Sequence, residues 1–572
     1  MKKKTGNKVS VGPLKDSSGN LITDDLMMAE QLNIFFCSVF TNEDCNNLPE
    51  AENLIAGKDA LEDCDITEEK VKAKLHRLKP NSAPGPDKLW PCVLQKLADV
   101  LAQPLAIVFT RCLGEETVPP DWKLANVTPI FKKGSKGCAG NYRPVSLTCV
   151  LCKVMESILR DEIVTHLHKN NLIRATQHGF MAGRSCLTNL LEYLEDLTKL
   201  VDQGHAVDIV YLDFAKAFDK VPHRRLMMKC QGLGISGKVL AWITEWLQDR
   251  KQRVVLNGKA SGWGEVLSGV PQGSVLGPTL FLIFINDLDI AVEITGAMVK
   301  KFADDTKCYM VVKSEQDKVR FQTMLQKLET WGTEWQMLFN MDKCHVIHAG
   351  QHNPHFEYIW GGQALEVTEV EKDVGVMVTS NLKPSVQCAN AAKKANMVLG
   401  QIARGVTYRD RVTFIRLYQV FVLPHLSYAV QAWAPFNKAD KELLEKVQRR
   451  AVMMVTNLRG NYEERLLSLK MRTLEERRTR GDLIEVFKIL TGKSNVDPET
   501  WFTLNNPADD TVRTRSADGF LNLVQPPIPK TDLRRYFFSH RVVSQWNQLP
   551  NNIKMAQSIN EFKNQLDGYH GY

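Results

Sequence analysis

Four apolar residues in a row, Ile209 to Leu212, close on Asp213. A short continuous apolar run of this kind predicts a buried strand, and the Ala-, Lys- and Phe-rich residues after it predict a helix. Two further runs, Val299 to Ala303 and Lys307 to Val312, predict a pair of strands, so Asp304 and Asp305 fall in the tight connection between them. Later the period changes. In "LLEKVQRRAVMMV" the residues Leu443, Val447, Ala451 and Met454 recur at helical spacing on one face, leaving Lys446, Arg449 and Arg450 nearer the other. No run of about 18 uncharged apolar residues predicts a membrane span. The opening "MKKKTGNK" leads into polar sequence rather than an apolar signal, so an intracellular chain is expected.

Composition narrows the class. At 572 residues the chain exceeds one ordinary core and predicts several domains or subdomains, and 44% apolar with 24% charged residues suits a folded protein. Thirteen cysteines, an odd number ending at Cys388, do not read as a disulfide framework. The pair Cys149 and Cys152 has the spacing of half a zinc site but no second pair, and reads as helix-core thiols. The net charge of +8 suits a polyanionic partner, and its distribution says more. Glu43 to Glu69 holds ten acidic residues against one lysine, Lys58, the composition of a solvated linker or surface helix. Lys441 to Arg480 holds eleven Lys/Arg against six glutamates within helical sequence.

The chemistry centres on Asp213 and on "KKFADDTK", Lys300 to Lys307. A carboxylate at the carboxyl end of a strand is where sheets of this kind carry functional groups, though an N-cap aspartate fits Asp213 as well. Asp304 and Asp305 are harder to read as turn residues alone. The second is another carboxylate, no glycine relieves the turn, and adjacent like charges are best tolerated beside a dication. If Asp213 meets them from a neighbouring strand, three carboxylates converge into a hard-oxygen site suited to Mg²⁺. Two such ions about 4 Å apart serve phosphoryl transfer, activating a 3′-hydroxyl and stabilising the leaving pyrophosphate.

Here the sequence resembles a family. "LDFAKAFD" around Asp213, "GVPQGSVLGP" from Gly269 to Pro278 and "FADD" from Phe302 to Asp305 stand in the order and spacing of the reverse-transcriptase palm. The wording is similar to non-LTR (LINE-type) retrotransposons of the jockey and chicken-repeat groups. Agreeing blocks are "APGPD", "VTPIFKKGSKGCAGNYRPVSL", "QHGFMAGRS", "FNMDKC", "EKDVGVMV", "LPHLSYAVQAW", "EKVQRRA" and "YFFSHRVVSQWNQLP". Together they span nearly the whole chain.

The resemblance implies an RNA-directed DNA polymerase with a right-hand α+β fold. Residues 1–75 would be an N-terminal helical or linker segment, 76–350 fingers and palm with a small antiparallel or mixed sheet, 351–460 the palm end and helical thumb, and 461–572 a mainly helical tail. It implies Asp213, Asp304 and Asp305 as catalytic metal ligands for two Mg²⁺ ions, with Mn²⁺ as a substitute. Arg143 and Lys132 or Lys133 match the residues on the triphosphate. Phe218 matches the aromatic beneath the incoming sugar, which selects deoxynucleotides, and is equally an apolar core residue by its own character. Gln272 and Gly273 match the template-primer surface, where glycines allow close backbone approach. Lys343 matches the lysine near the leaving pyrophosphate, and Lys446, Arg449 and Arg450 would track the nucleic-acid backbone. The implied partners are an RNA template, a DNA primer or target DNA, and dNTPs, with no membrane, in the nucleus or cytoplasm.

Met181 stands where the family usually carries a basic residue, and Lys88 where a small one is usual. The finger-proximal blocks begin within the first hundred residues and no C-C-H-C knuckle follows the thumb, so a partial second open reading frame, polymerase without its N-terminal endonuclease, is expected. A decayed or domesticated copy that binds nucleic acid without turnover and an RNA-dependent RNA polymerase are the other readings. The intact Asp213, Asp304, Asp305, Arg143 and Gln272 oppose the first. Phe218, and "FADD" in place of Gly-Asp-Asp, oppose the second.

Overall fold

The computed structural model describes residues 11–16, 18–55, 59–505 and 522–571. The lysines at positions 2–4 therefore lie outside the described residues. Contacts divide the chain into two compact units that interleave along it. One comprises Met1–Ala175, Asp213–Ala291 and Gln326–Asn340, and the other Thr176–Leu212, Val292–Leu325 and Met341–Tyr572. Both are mixed α/β with small mixed sheets. Among the described residues no helix is long and apolar enough to cross a membrane.

The first unit is built on the strand Leu124–Phe131, whose alternating burial puts Ala125 and Val127 inside. It pairs antiparallel with Tyr142–Thr148, Ile130 opposite Arg143, and parallel with Lys251–Leu256. The helix Asp25–Ser38 starts where the Asp24 carboxylate accepts the backbone N–H groups of Leu26 and Met27, and buries Met28, Ala29, Leu32 and Phe36. With Val127, Tyr142, Val254 and Leu256 these residues form one core. The acidic stretch after Glu43 is anchored rather than free. Glu43 accepts backbone N–H groups from Arg224 and Arg225, and Leu61 pairs with Ile235. Cys149 and Cys152 are buried at the start of the helix Val150–Lys169, as a helix-core reading requires.

In the second unit five strands run in the order Glu366–Val367, His345–Ala349, Val207–Leu212, Asp305–Val311, Met298–Phe302. All six residues of Val207–Leu212 are buried, so this strand is the spine of the sheet. The helix Cys186–Asp202 begins in a reciprocal capping box of Ser185 and Thr188 and covers the sheet with Leu190, Tyr193 and Leu197. The same core takes in the helices Ser385–Gly405 and Lys438–Met453 through Ala391, Leu399, Leu444 and Val447.

Two sequence expectations are corrected. Leu443 is exposed, and the buried stripe on its helix is Leu444, Val447, Gln448, Ala451 and Val452, because the face turns one residue from the pattern read off the sequence. The helix expected directly after Asp213 is only Ala217–Lys220, entered through Lys216 at φ +59°. Asp213 is not its N-cap.

Candidate active site

The two aspartates sit on a hairpin tighter than the one expected. Asp305 pairs with Phe302, so the connection shrinks to Ala303 and Asp304. Ala303 takes φ +55°, a left-handed conformation costing an L-residue about 1–2 kcal/mol. Gln177 holds it there: its buried side-chain oxygen accepts the N–H of Ala303 at 2.9 Å and that of Gly179 at 2.8 Å. The backbone at Gly179 comes so close that an added Cβ would lie 2.2 Å from the Ala303 nitrogen. Gln177 and Gly179 thus fix the aspartate turn, a role their place in "QHGFMAGRS" did not reveal.

The strands that carry the turn are fixed from behind by buried polar groups. Asn189 donates to the Lys301 carbonyl at 3.1 Å and accepts from Lys307 Nζ at 2.9 Å. Lys307 is itself buried, ion-paired with Asp373 and set over the Tyr193 ring. Burial pulls its pKa below the usual lysine value against the attraction of Asp373. Next to it Glu192 accepts from Lys300 and His178. Burial alone would raise the Glu192 pKa, but His178 and Lys300 outweigh it and hold the carboxyl at about 2.

His178 is pushed below 6.5 by desolvation, although Glu192 opposes the shift. Both shifts make acid unfavourable to the fold. A depressed histidine is lost as the unfolded chain takes up its proton below pH 6.5, and a depressed carboxyl contributes above 4.5 and fades towards 2. The melting temperature, followed by circular dichroism, is therefore expected to fall in two stages as pH drops from 8 to about 2. His178→Gln should flatten the upper stage, and an unchanged profile in that variant would refute the assignment.

Along the central ladder Leu212 stands opposite Thr306. Asp213 follows Leu212 in the chain, and Asp305 precedes Thr306. Asp304 is half-buried and Asp305 exposed. By its contacts Asp213 belongs to the first unit, where its carbonyl accepts the N–H of Asn340 and Ala215 donates to Leu338. Phe214 stacks on Phe339 with centroids 4.4 Å apart. The donors are carboxylate oxygens, chemistry that fits Mg²⁺ or Mn²⁺. Among the described residues no group of three or more His, Cys, Asp or Glu side chains is arranged as a metal cage.

A second group of matched residues gathers within the first unit. Gln272 donates its side-chain N–H to Asp219 at 2.8 Å, and its carbonyl accepts the N–H of Ser146 at 2.7 Å. Gly273, at φ +120°, brings the loop so near that a Cβ would lie 2.4 Å from the Ser146 carbonyl oxygen. That glycine is needed for contact with its own chain. Phe218 stacks on Phe281 at 4.4 Å, and a pocket is lined by Pro144, Ser146, Phe218, Asp219 and Gln272. Desolvation raises the pKa of Asp219 against the opposing pull of Gln272, Lys216 and Arg143. Asp219 follows Asp213 in "LDFAKAFD", and nothing in the sequence pairs it with Gln272.

Arg143 is exposed, with Lys132 and Lys133 exposed on the turn of the same hairpin. Lys343 is exposed on the short turn Met341–Lys343 of the second unit. Of the basic helix residues, Arg449 reaches Glu442 at 3.4 Å and lies over Tyr462, while Lys446 and Arg450 are exposed.

Residues 130–380 match the family model described as reverse transcriptase (RNA-dependent DNA polymerase). Over that stretch the chain is similar to reverse transcriptases. It is 24% identical over 402 residues to the RNA-directed DNA polymerase from mobile element jockey of Drosophila melanogaster, covering 68% of this chain and 44% of the relative. The jockey polymerase of Drosophila funebris is 27% identical over 411 residues, 69% of this chain and 44% of the relative. The probable RNA-directed DNA polymerase from transposon X-element of Drosophila melanogaster is 23% identical over 465 residues, 78% and 50% respectively. The chain thus spans half the length of these relatives or less.

Proposed function

We propose that this chain is the RNA-directed DNA polymerase of a non-LTR retrotransposon, copying an RNA template into DNA by nucleotidyl transfer to a primer 3′-hydroxyl. The observation that carries the reading is the hairpin. Asp304 sits on the clamped two-residue turn and Asp305 opens the strand after it, at the end of the sheet where the neighbouring strand, paired Leu212 to Thr306, leads into Asp213. A strained turn held by buried side chains is a costly way to present two adjacent carboxylates, and it suits residues whose position matters for chemistry. Residues 76–350 would then be fingers and palm of a right-hand polymerase, 351–460 the palm end and thumb, 461–572 a helical extension and 1–75 an N-terminal segment.

In this reading Asp213, Asp304 and Asp305 hold divalent cations, which supply Lewis acidity at the attacking hydroxyl and charge neutralisation at the leaving pyrophosphate. Arg143 offers a guanidinium fork to the triphosphate from an exposed strand position, with Lys132 or Lys133 beside it and Lys343 near the pyrophosphate. Phe218, stiffened by its stack on Phe281, presents a flat apolar face under the sugar and excludes a 2′-hydroxyl by size. Asp219 orients Gln272, and Gln272 with Gly273 supports the base pair being formed. The work would take place inside the cell, in nucleus or cytoplasm, where template RNA and target DNA are met.

The test is extension of oligo(dT) on poly(rA) with Mg²⁺ and dTTP by the purified chain. Incorporation is expected from the parent and a loss of at least about 10³-fold from Asp304→Asn, Asp305→Asn, the order of effect of removing main electrostatic stabilisers of a transition state. A parent that binds the hybrid but incorporates nothing, or a variant as active as the parent, would overturn the reading.

A further inference from the structure

The second unit carries a basic cavity that the polymerase reading leaves without a task. It measures about 490 Å³, and Lys470, Arg472, Arg477, Arg478 and Arg480 line it against a single acidic side chain, Asp567. The cavity is built from distant parts of the chain. Lys470, at φ +52°, caps the helix Tyr462–Leu469, Arg472 lies in the connection after it, and Arg477, Arg478 and Arg480 project from the first turns of Leu474–Leu490. Asp567 comes from Ile559–Tyr569, and the remaining wall from Leu426, Ser427, Val430 and Gln431.

The charges do not balance internally. Asp567 is shared between Arg472 at 2.7 Å and Arg480 at 2.6 Å, and these two hold its carboxyl at about 2. The nearby acids are engaged elsewhere. Glu475 pairs with Lys441, Asp482 with Arg541, and Glu445 accepts from Tyr462 and from the N–H of Leu474. Arg478 is 8% exposed, and its buried Nη1 has no hydrogen-bond partner. A buried guanidinium N–H left unpaired costs free energy comparable to a lost charged hydrogen bond. Arg477, exposed at the rim, is still drawn below its usual pKa, by desolvation first and then by repulsion from Arg472 and Arg480. Five cations gathered around one opening against a single carboxylate call for an anion.

We infer that this cavity binds backbone phosphates of an RNA strand. Several guanidiniums around one opening offer the forked donors that fit phosphate oxygens bidentately, and an excess of four positive charges suits a chain of phosphates better than a single one. The choice of RNA over another polyanion rests on the proposed function, while the phosphate chemistry rests on the cavity alone. This site, rather than the outer face of Lys446, Arg449 and Arg450, would be the main backbone contact of the C-terminal half. Arg449 already has Glu442 as partner, and Arg450 donates to Asn396 at 3.3 Å.

The experiment measures binding of a fluorescein-labelled 20-nucleotide single-stranded RNA by anisotropy over a series of KCl concentrations. The full chain is used in an Asp304→Asn, Asp305→Asn background, so that failure of polymerisation cannot affect the outcome. The double variant Lys470→Gln, Arg477→Gln is compared with the control Lys96→Gln, Lys313→Gln, which removes the same charge at exposed positions elsewhere, and circular dichroism confirms that each is folded. Two lost phosphate contacts should flatten the slope of log K against log[salt] by about 1.4 and weaken binding about tenfold at low salt, with the control unchanged. Arg478→Lys should retain more affinity than Arg478→Gln. Equal slopes in the double variant and the control would overturn the proposal. It would also be overturned if inorganic phosphate raises the melting temperature of the parent but not of the double variant while RNA binding stays the same, since the site would then serve a free anion.

Discussion

Replacing Gly179 by alanine is expected to cut primer extension about a hundredfold, the penalty of moving a reactive group by about 1 Å. The new methyl group would lie 2.2 Å from the Ala303 nitrogen and 2.9 Å from both the Ala303 Cα and the Phe302 carbonyl carbon. These are backbone atoms of the very turn that carries Asp304, and no flexible side chain is there to swing aside. The turn must shift, and with it the hydrogen bonds from Ala303 and Gly179 to Gln177. Overpacking of this kind costs about 1–3 kcal/mol, so the melting temperature should fall while the chain stays folded. Measured kcat and melting temperature decide the matter: parental turnover in a folded Gly179→Ala protein would show that the turn tolerates displacement.

Lys307→Met is expected to cost about 3–5 kcal/mol, because it leaves the buried Asp373 carboxylate without its cation. Lys307 and Asp373 have side chains 4% and 5% exposed, so water cannot take over. The substitution also strands the Asn189 side-chain oxygen, which accepts from Lys307 while its amide ties down Lys301. Adding Asp373→Leu should recover most of the loss, since replacing both partners removes the uncompensated charge. Denaturant unfolding of both variants and the parent provides the test, and a double variant no more stable than Lys307→Met would show that the pair is not the cause.

How much of this could be read in advance depends on how local each signal is. The spine strand before Asp213 and the two strands around the aspartate pair were legible because continuous apolar runs report burial directly. Their exact ends were not. Whether Asp305 belongs to turn or strand is decided by Gln177, which lies 126 positions from Ala303 in the chain. The site was legible as a list of matched blocks, yet the blocks did not say which residues support which. The contacts of Gln272 with Asp219, and of Gln177 and Gly179 with Ala303, are long-range, and no periodicity encodes them. The basic helix misled in a related way. Its charge was plain in the sequence, but the side chains around the cavity come from segments near residues 426, 470–480 and 567, and only folding brings them to one opening.

The interleaving of the two units has a consequence for how the chain comes into being. The polypeptide passes between them five times, after Ala175, Leu212, Ala291, Leu325 and Asn340. A ribosome making it from the N-terminus releases the buried strand Val207–Leu212 long before either neighbouring strand, Asp305–Val311 or His345–Ala349, exists to cover it. Until then an apolar edge waits uncovered, the situation in which nascent chains need chaperones or aggregate. A chain interrupted before Asn340 holds neither unit whole, and one interrupted after it holds the first unit without the last segment of the second. The first unit can close once Asn340 has emerged, whereas the second waits for the segment that begins at Met341.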